Sequence, residues 1–533
     1  MNKVGSLWLA LLPAIAGCAA DSGISGHAHF DGNSWWNHVK VLAADDMEGR
    51  DTGSEGLKRA EAYVVGQLTS AGIQPAGTRG YYQPMMFESR TLLEKESSVV
   101  LVQDGKAEAL VLGEDGNLGT RVDEVDEVAA PLVFAGYGLS IPEMNYDDLA
   151  GLDLKGKVAV IISGSPSTIP TAMASHYQTV AERWKIFHKA GAIGIVSVAN
   201  PAAMDVPWSR ISLNRLHPNM DLVGAEFAET AGEQLAMFFN PARAEKLFAG
   251  SGHSFHDIAE LAKDRKPMPH FSLPLSIKAK TRFAKKQVES ANIVAVLPGS
   301  DPALKNEFVV LSAHLDHIGI GEPIDGDRIY NGAMDNASGS AVLLDVAASL
   351  KGHPQRRSLL FVFVTAEEKG LLGSKYFGTH PTVQLKTMVA NINVDMFLPI
   401  VPLKLLTVYG LAESDLGDMA RDAAEADGVA VRADPQPLRN IFVRSDQYHF
   451  IRQGVPALAM GVAPTSPEQD TLFKEWLTRR YHAPSDDLDQ AVDLSAAGKY
   501  EDIVRALMAK VANAAQAPRW KPDSFFRRYA TGE

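Results

Sequence analysis

His314, Asp316, Asp335, Glu367, Glu368, Asp395, Tyr481 and His482 are the side chains of this sequence whose types and order suit them to work together. Imidazole and carboxylate are the ligands that hard to borderline cations take. A shared carboxylate holds two such ions roughly 3.5–4 Å apart with water between them, and bound water then ionises near neutral pH. The chemistry this set suggests is therefore metal-assisted hydrolysis. The chain has a single cysteine, Cys18, so neither an intramolecular disulfide nor a thiolate zinc site is available. Any metal must sit on His, Asp and Glu. A lone histidine or an acidic pair more often caps a helix or faces water; here the weight lies in the joint arrangement.

That arrangement depends on the elements that carry it. Glu307–Ala313, Ser358–Val364, Met388–Val394 and Val455–Met460 are near-continuous apolar runs. Strands buried on both faces read this way, and such sheets are mostly parallel with helices on both sides. The first run leads into His314-Leu315-Asp316, the second into Glu367-Glu368 and the third into Asp395. Ligands of open α/β sheets bind outside the carboxyl ends of their strands, so the fold is expected to gather these groups. Asn331–Gly339 reads as a tight loop placing Asp335 just before an apolar helix, Ala341–Leu350, and Tyr481–Asp487 is a polar loop carrying His482.

Upstream, Val39, Leu42 and Met47, then Leu57, Ala60, Tyr63, Val64 and Leu68, fit amphipathic helices joined by a Gly-rich loop at 48–56. Short alternating runs between 94 and 128 read as strands. A distinct strand, helix and strand block from about 130 to 285 contains a helix at Val180–Ala190 but none of the catalytic cluster. The expected fold class is α/β, a mixed and mostly parallel sheet sandwiched by helices, with a smaller β-rich α/β insertion.

The 533 residues include 46% apolar and 22% charged side chains, enough for a substantial core. The net charge of −13 lacks the footprint of a nucleic-acid binder. At the start, Lys3, the apolar stretch Leu7–Ile15 and Ala16-Gly17-Cys18 follow the order of a secretory signal, and the run is too short to span a bilayer. Ile15-Ala16-Gly17-Cys18 also resembles a bacterial lipobox, which implies lipidation at Cys18. Ala19 after it implies outer-membrane sorting in a Gram-negative host.

The motifs His314-Leu315-Asp316, Gly332–Gly339, Glu367–Ser374, Asn393-Val394-Asp395 and Tyr481-His482 resemble, in order, those of the co-catalytic di-zinc aminopeptidases. That family also includes glutamate carboxypeptidase, glutaminyl cyclases and the transferrin receptor ectodomain. The similarity extends to Met47–Ser54, and Gly136-Tyr137-Gly138 with Tyr146-Asp147-Asp148 resembles the protease-associated (PA) domain inserted in many members. The resemblance implies two zinc ions per chain, one on His314 and Asp395, the other on Glu368 and His482, with Asp335 bridging. It implies Glu367 as general base, Asp316 as the carboxylate orienting the His314 ring, Tyr481 as a donor to the oxyanion, and a cis peptide at Asp335-Asn336. Ser445-Asp446 resembles a supporting motif. His317, His449, Asp325 and Asp327 read as loop polarity.

The corresponding organisation is a signal at 1–18, a tether at 19–33, peptidase segments at 34–129 and 286–516, a PA insertion at 130–285 and a tail at 517–533. The expected activity is removal of N-terminal residues from peptides by an exported enzyme. It would be lipid-anchored to the outer membrane, facing the periplasm or cell surface, or secreted, and would touch the membrane only through Cys18. An acidic site suits a free α-amino group better than a free α-carboxylate. A glutamate-releasing carboxypeptidase is the alternative, with Arg439 and Arg444 as candidate anchors; a glutaminyl cyclase and a non-catalytic binding protein fit the intact ligand set less well. Residues Ile400–Leu405 and Phe442 are candidates for a side-chain pocket.

Overall fold

The computed structural model describes residues 28–530, and the expected signal and Cys18 lie outside the described residues. Its first helix, Asn33–Leu42, buries Trp35, Val39 and Leu42. The second, Glu55–Ala71, starts where the Ser54 side chain accepts a hydrogen bond from the Leu57 amide, and stops at Gly72, whose φ of 67° suits glycine. Leu57, Ala60, Val64 and Leu68, spaced by three or four, form its buried face.

These helices pack on a ten-stranded sheet. Its centre is the strand Phe308–His314, parallel to Ser358–Val364 on one side and to Met388–Asn393 on the other. Met388–Asn393 in turn pairs in parallel with Ala457–Val462. Tyr82–Leu92, Phe283–Leu297 and Leu405–Tyr409 flank this centre in antiparallel pairings. Every residue of Ser358–Val364 is buried, as its unbroken apolar run requires. The helices Ser338–Leu350 and Leu494–Asn513 contribute to one apolar cluster with this sheet, while Trp520 and Phe526 of the tail pack back into another.

A second sheet of eight strands has its own core. Its order runs Lys106–Leu110, Ser98–Gln103, Phe271–Lys280, Val128–Phe134, Val158–Ile162, Gly194–Val198, Leu235–Phe239 and Gly116–Leu118. The boundary drawn at 130 from sequence therefore falls inside this unit, because three of its strands come from 98–118. The chain leaves the ten-stranded sheet after Leu92 and re-enters at Phe283, and these two residues face each other across paired strands. One excursion crosses back. Between Gly194–Val198 and Leu235–Phe239, the strand Asn219–Leu222 joins the edge of the ten-stranded sheet against Tyr82–Leu92. Among the described residues, no helix is long and apolar enough to cross a membrane.

Candidate metal centre

Because the three central strands run parallel and end level, their carboxyl ends deliver His314, the Glu367-Glu368 pair and Asp395 to one place. His314 Nε2 lies 3.2 Å from Asp335 Oδ1 and 3.2 Å from Asp395 Oδ1. His482 Nε2 lies 3.2 Å from Asp335 Oδ2 and 3.2 Å from Glu368 Oε2. Asp335 thus gives one oxygen to each imidazole, which is the arrangement of a bridging carboxylate. Side-chain exposure rises from 1% at His314 and 4% at Asp335 to 17% at Asp395 and 22% at His482, so the site opens on that side.

Two loops place Asp335 and His482. Asp486, fully buried, accepts hydrogen bonds from the amides of Met334 at 3.0 Å and Asp335 at 3.0 Å, and its carbonyl accepts from the Ala333 amide. The peptide bond Asp335-Asn336 is cis, and Asn336 donates from Nδ2 to the carbonyl of Val394, next to Asp395. From the other side, Asn393 donates to Ser445 Oγ at 2.8 Å and to Gln447 at 2.9 Å, which ties the Ser445-Asp446 segment to the third strand end. Arg50 supplies the deepest support. Its buried guanidinium donates to the carbonyls of Leu42, Leu315, Asn331 and Gly332 at 2.5–2.9 Å, spanning the loops on either side of His314 and Asp335.

The geometry departs from the sequence reading at Asp316. The acceptor facing His314 Nδ1 at 3.0 Å is the backbone carbonyl of Asp316, whereas its carboxylate stands 4.0 Å away. That carboxylate instead accepts from the Glu367 amide at 3.1 Å and from Thr52 at 3.1 Å. At the end of a strand the i+2 carbonyl reaches back to the ring first, which frees the side chain to hold the neighbouring loop. His317 is a second departure. It is buried, its Nδ1 lies 2.7 Å from Glu368 Oε1, and its Nε2 has no hydrogen-bond partner among the described residues. Asp325 and Asp327 sit exposed on a hairpin away from the cluster. Of the candidates for a side-chain pocket, Val401 and Leu403 are buried in the core, whereas Ile400 is half-buried and Phe442, also half-buried, packs on Phe526.

Burial alone would push His482 down, but Glu368 and Asp335 outweigh it and hold it up at about 10. His314 is raised in the same way by Glu367 and Asp395. Against burial and the charge of Glu368, Asp335 is held well below the usual carboxylate range by its bonds to His314 and His482. Enclosure, with Asp395, Glu368 and Asp446 nearby, pushes Glu367 well up. Burial lifts Asp446 to about 7. The cluster is short of positive charge, which is what dications supply.

The donor set fits zinc. Imidazole and carboxylate are its ligands, and a tetrahedron with bonds of 2.0–2.1 Å has edges of about 3.3 Å, close to the N···O separations here. Donor atoms of His314, Glu367 and Asp395, and of His317, Asp335 and Glu368, form two groups each within 4.8 Å.

Residues 292–508, which hold the whole cluster, match the profile of peptidase family M28. Aminopeptidase YwaD of Bacillus subtilis is 35% identical over 91 residues, 17% of this chain and 18% of the relative. Probable leucine aminopeptidase 2 of Aspergillus fumigatus is 31% identical over 213 residues, 37% of this chain and 39% of the relative. These alignments span well under half of the relatives' lengths. An aminopeptidase from Aneurinibacillus sp. strain AM-1 shares the fold with a TM-score of 0.57 at 20% identity, over 92% of this chain and 96% of that one. The segment that carries the cluster, residues 292–508, is thus similar to peptidase family M28.

Proposed function

We propose that the protein is a zinc-dependent aminopeptidase that removes N-terminal residues from peptides. The observation that carries this reading is the division of Asp335 between His314 and His482, with Asp395 and Glu368 completing the two ends. His314, Asp395 and Asp335 would hold one zinc, and Glu368, His482 and Asp335 the other. Zinc bound there polarises a carbonyl and acidifies water. The names of the relatives, aminopeptidases among them, support the same direction.

The chain's own groups then act as follows. Glu367, held above the ordinary carboxylate range and partly open to solvent, takes the proton of the attacking water and passes it to the leaving amine. Asp316 fixes the Glu367 backbone through the amide bond, so its role is to aim the base. Tyr481, beside the His482 ring with centroids 3.9 Å apart, donates its hydroxyl to the developing oxyanion. The carboxylates gathered at the cluster attract a free α-ammonium group. The carboxypeptidase alternative loses one of its anchors, since Arg439 is bound to Asp205 at 2.6 Å. Export by a signal ending at Cys18, lipid anchorage at the outer membrane and a PA-type role for the second unit belong to the same proposal, on the strength of the sequence motifs.

Elemental analysis of the purified protein, paired with release of amino acids from free and N-blocked peptides, tests the proposal. About two zinc per chain and cleavage of free-amine peptides alone are expected. Glu367→Gln should keep the metal and lose roughly 10²–10⁴-fold in kcat. Full activity in that variant, or cleavage of blocked peptides with a free carboxylate, would overturn it.

A further inference from the structure

The loop that carries His482 is held from two directions. On the inner side Asp486 ties it to Met334 and Asp335. On the outer side the partner is Arg210, which belongs to the second unit's excursion and lies on the short helix Trp208–Ile211. Arg210 donates through Nη1 to the carbonyl of Tyr481 at 2.8 Å and of Leu477 at 3.5 Å, and through Nη2 to the carbonyl of Arg479 at 3.1 Å. The helix Pro467–Arg479 ends here, so the carbonyls of Leu477 and Arg479 are ones its own turns leave unpaired, that of Arg479 being shared with the Ser485 hydroxyl, and Tyr481 stands just beyond the helix. The residue after Tyr481 is His482, at a φ of 54° that only a fixed turn maintains in a non-glycine residue.

Arg210 is itself anchored from behind. Trp208 donates from Nε1 to the carbonyl of Gly113 at 2.8 Å and stacks on Phe238, and Asn117 donates to the carbonyl of Ile211 at 3.0 Å. Gly113, Asn117 and Phe238 all belong to the second unit. Further along the excursion Asn219–Leu222 is stitched into the catalytic sheet. The guanidinium is thus the end of a rigid lever that starts in one unit and closes on the turn before a ligand of the other.

We propose that Arg210 is a positioning residue through which the second unit sets the turn at Arg479–His482, and with it the affinity of the Glu368–His482 half of the centre for zinc. The inference rests on the zinc reading above. It predicts unequal effects: the His314–Asp395 half, built on strand ends, does not depend on Arg210.

Arg210→Ala and Arg210→Lys in the full chain test it, by zinc titration against a competing chelator and by amide exchange of the zinc-free protein. Arg210→Ala should bind one zinc as the unaltered chain does and the second 10–100-fold more weakly, the range seen when ligand-orienting partners are removed. Lysine should restore part of that loss. In a His482→Ala background the substitution should change zinc binding no further. Without metal, amides of 480–486 should exchange about tenfold faster while those of Phe308–His314 keep their protection. Equal zinc binding by the Arg210→Ala variant and the parent, or parallel loss at both halves, would overturn the inference, as would faster exchange throughout the catalytic sheet. A parent chain that binds no zinc overturns the functional reading instead, and the exchange comparison then decides whether Arg210 holds the turn.

Discussion

Tyr481 and His482 are adjacent in sequence but would meet different demands in the proposed reaction, one offering a hydroxyl to the substrate and the other a nitrogen to the metal. Burial and the carboxylates of Asp335, Glu368 and Glu367 keep the Tyr481 phenol well above its ordinary pKa, so it stays protonated and able to donate throughout the working pH range. Tyr481→Phe should therefore lower kcat by about 10²–10³-fold while zinc content is unchanged, as loss of a single oxyanion donor does. Retained kcat on a free-amine peptide would remove Tyr481 from the chemistry. At this scale the motif residues were legible because each follows an apolar run or sits in a tight loop. His317 was not. A histidine three places after a ligand carries no sequence signal separating loop polarity from a 2.7 Å contact with Glu368, because that contact comes from a neighbouring strand. Asp316 shows the converse: its presence was legible, but which of its oxygens faces the ring depends on backbone geometry.

The segment Asp45–Arg50, a short 3-10 stretch with Glu48, Gly49 and Arg50 at positive φ, brings Arg50 under the loops that carry the ligands. Arg50 pairs with carbonyls rather than a carboxylate, and burial draws its guanidinium down to about 10 against the field of Asp486, Asp316 and Asp335. Arg50→Met strips buried carbonyls of their donors and should cost about 3–5 kcal/mol, measured by urea unfolding. A loss under 1 kcal/mol would show that water replaces it. A buried carboxyl in the second unit makes a pH-dependent counterpart. Glu233 is pushed from 4.5 to about 8 by burial, against the pull of Arg121. Its neutral form is favoured in the fold, so its contribution is complete below about pH 4.5 and is lost as pH rises through about 8. Glu233→Gln should narrow the difference in melting temperature between pH 5 and pH 9, and an unchanged difference would assign the pH response to other groups. Helices and buried strands were legible from their periods. Membership of a sheet was not, because alternation in Ser98–Gln103 declares a strand but not its partner, and the partner Phe271–Lys280 lies far along the chain.

Across the whole molecule the tail closes the structure. Trp520 donates from Nε1 to the carbonyl of Gly454, and Phe526, fully buried, meets Phe442 edge-on at 5.5 Å. Phe526→Ala should destabilise the catalytic domain by about 3–5 kcal/mol, seen as an earlier thermal transition, with the zinc site unaltered in the folded protein. Composition argued against a nucleic-acid partner and motif order pointed to a metallopeptidase, yet neither could reveal that the tail is core, since its aromatics and arginines suit a loose end equally well. The paired stems Tyr82–Leu92 and Phe283–Leu297 carry one more consequence. Leu92 and Phe283 face each other, so a tight turn would join them without disturbing the strands below, and a chain without the second unit needs no other change of connectivity. The unit is topologically portable. It is not freely removable, because Asn219–Leu222 would leave with it and bare the edge of Tyr82–Leu92. A unit whose two ends meet at one strand pair thus also guards the edge of Tyr82–Leu92 against pairing with another chain.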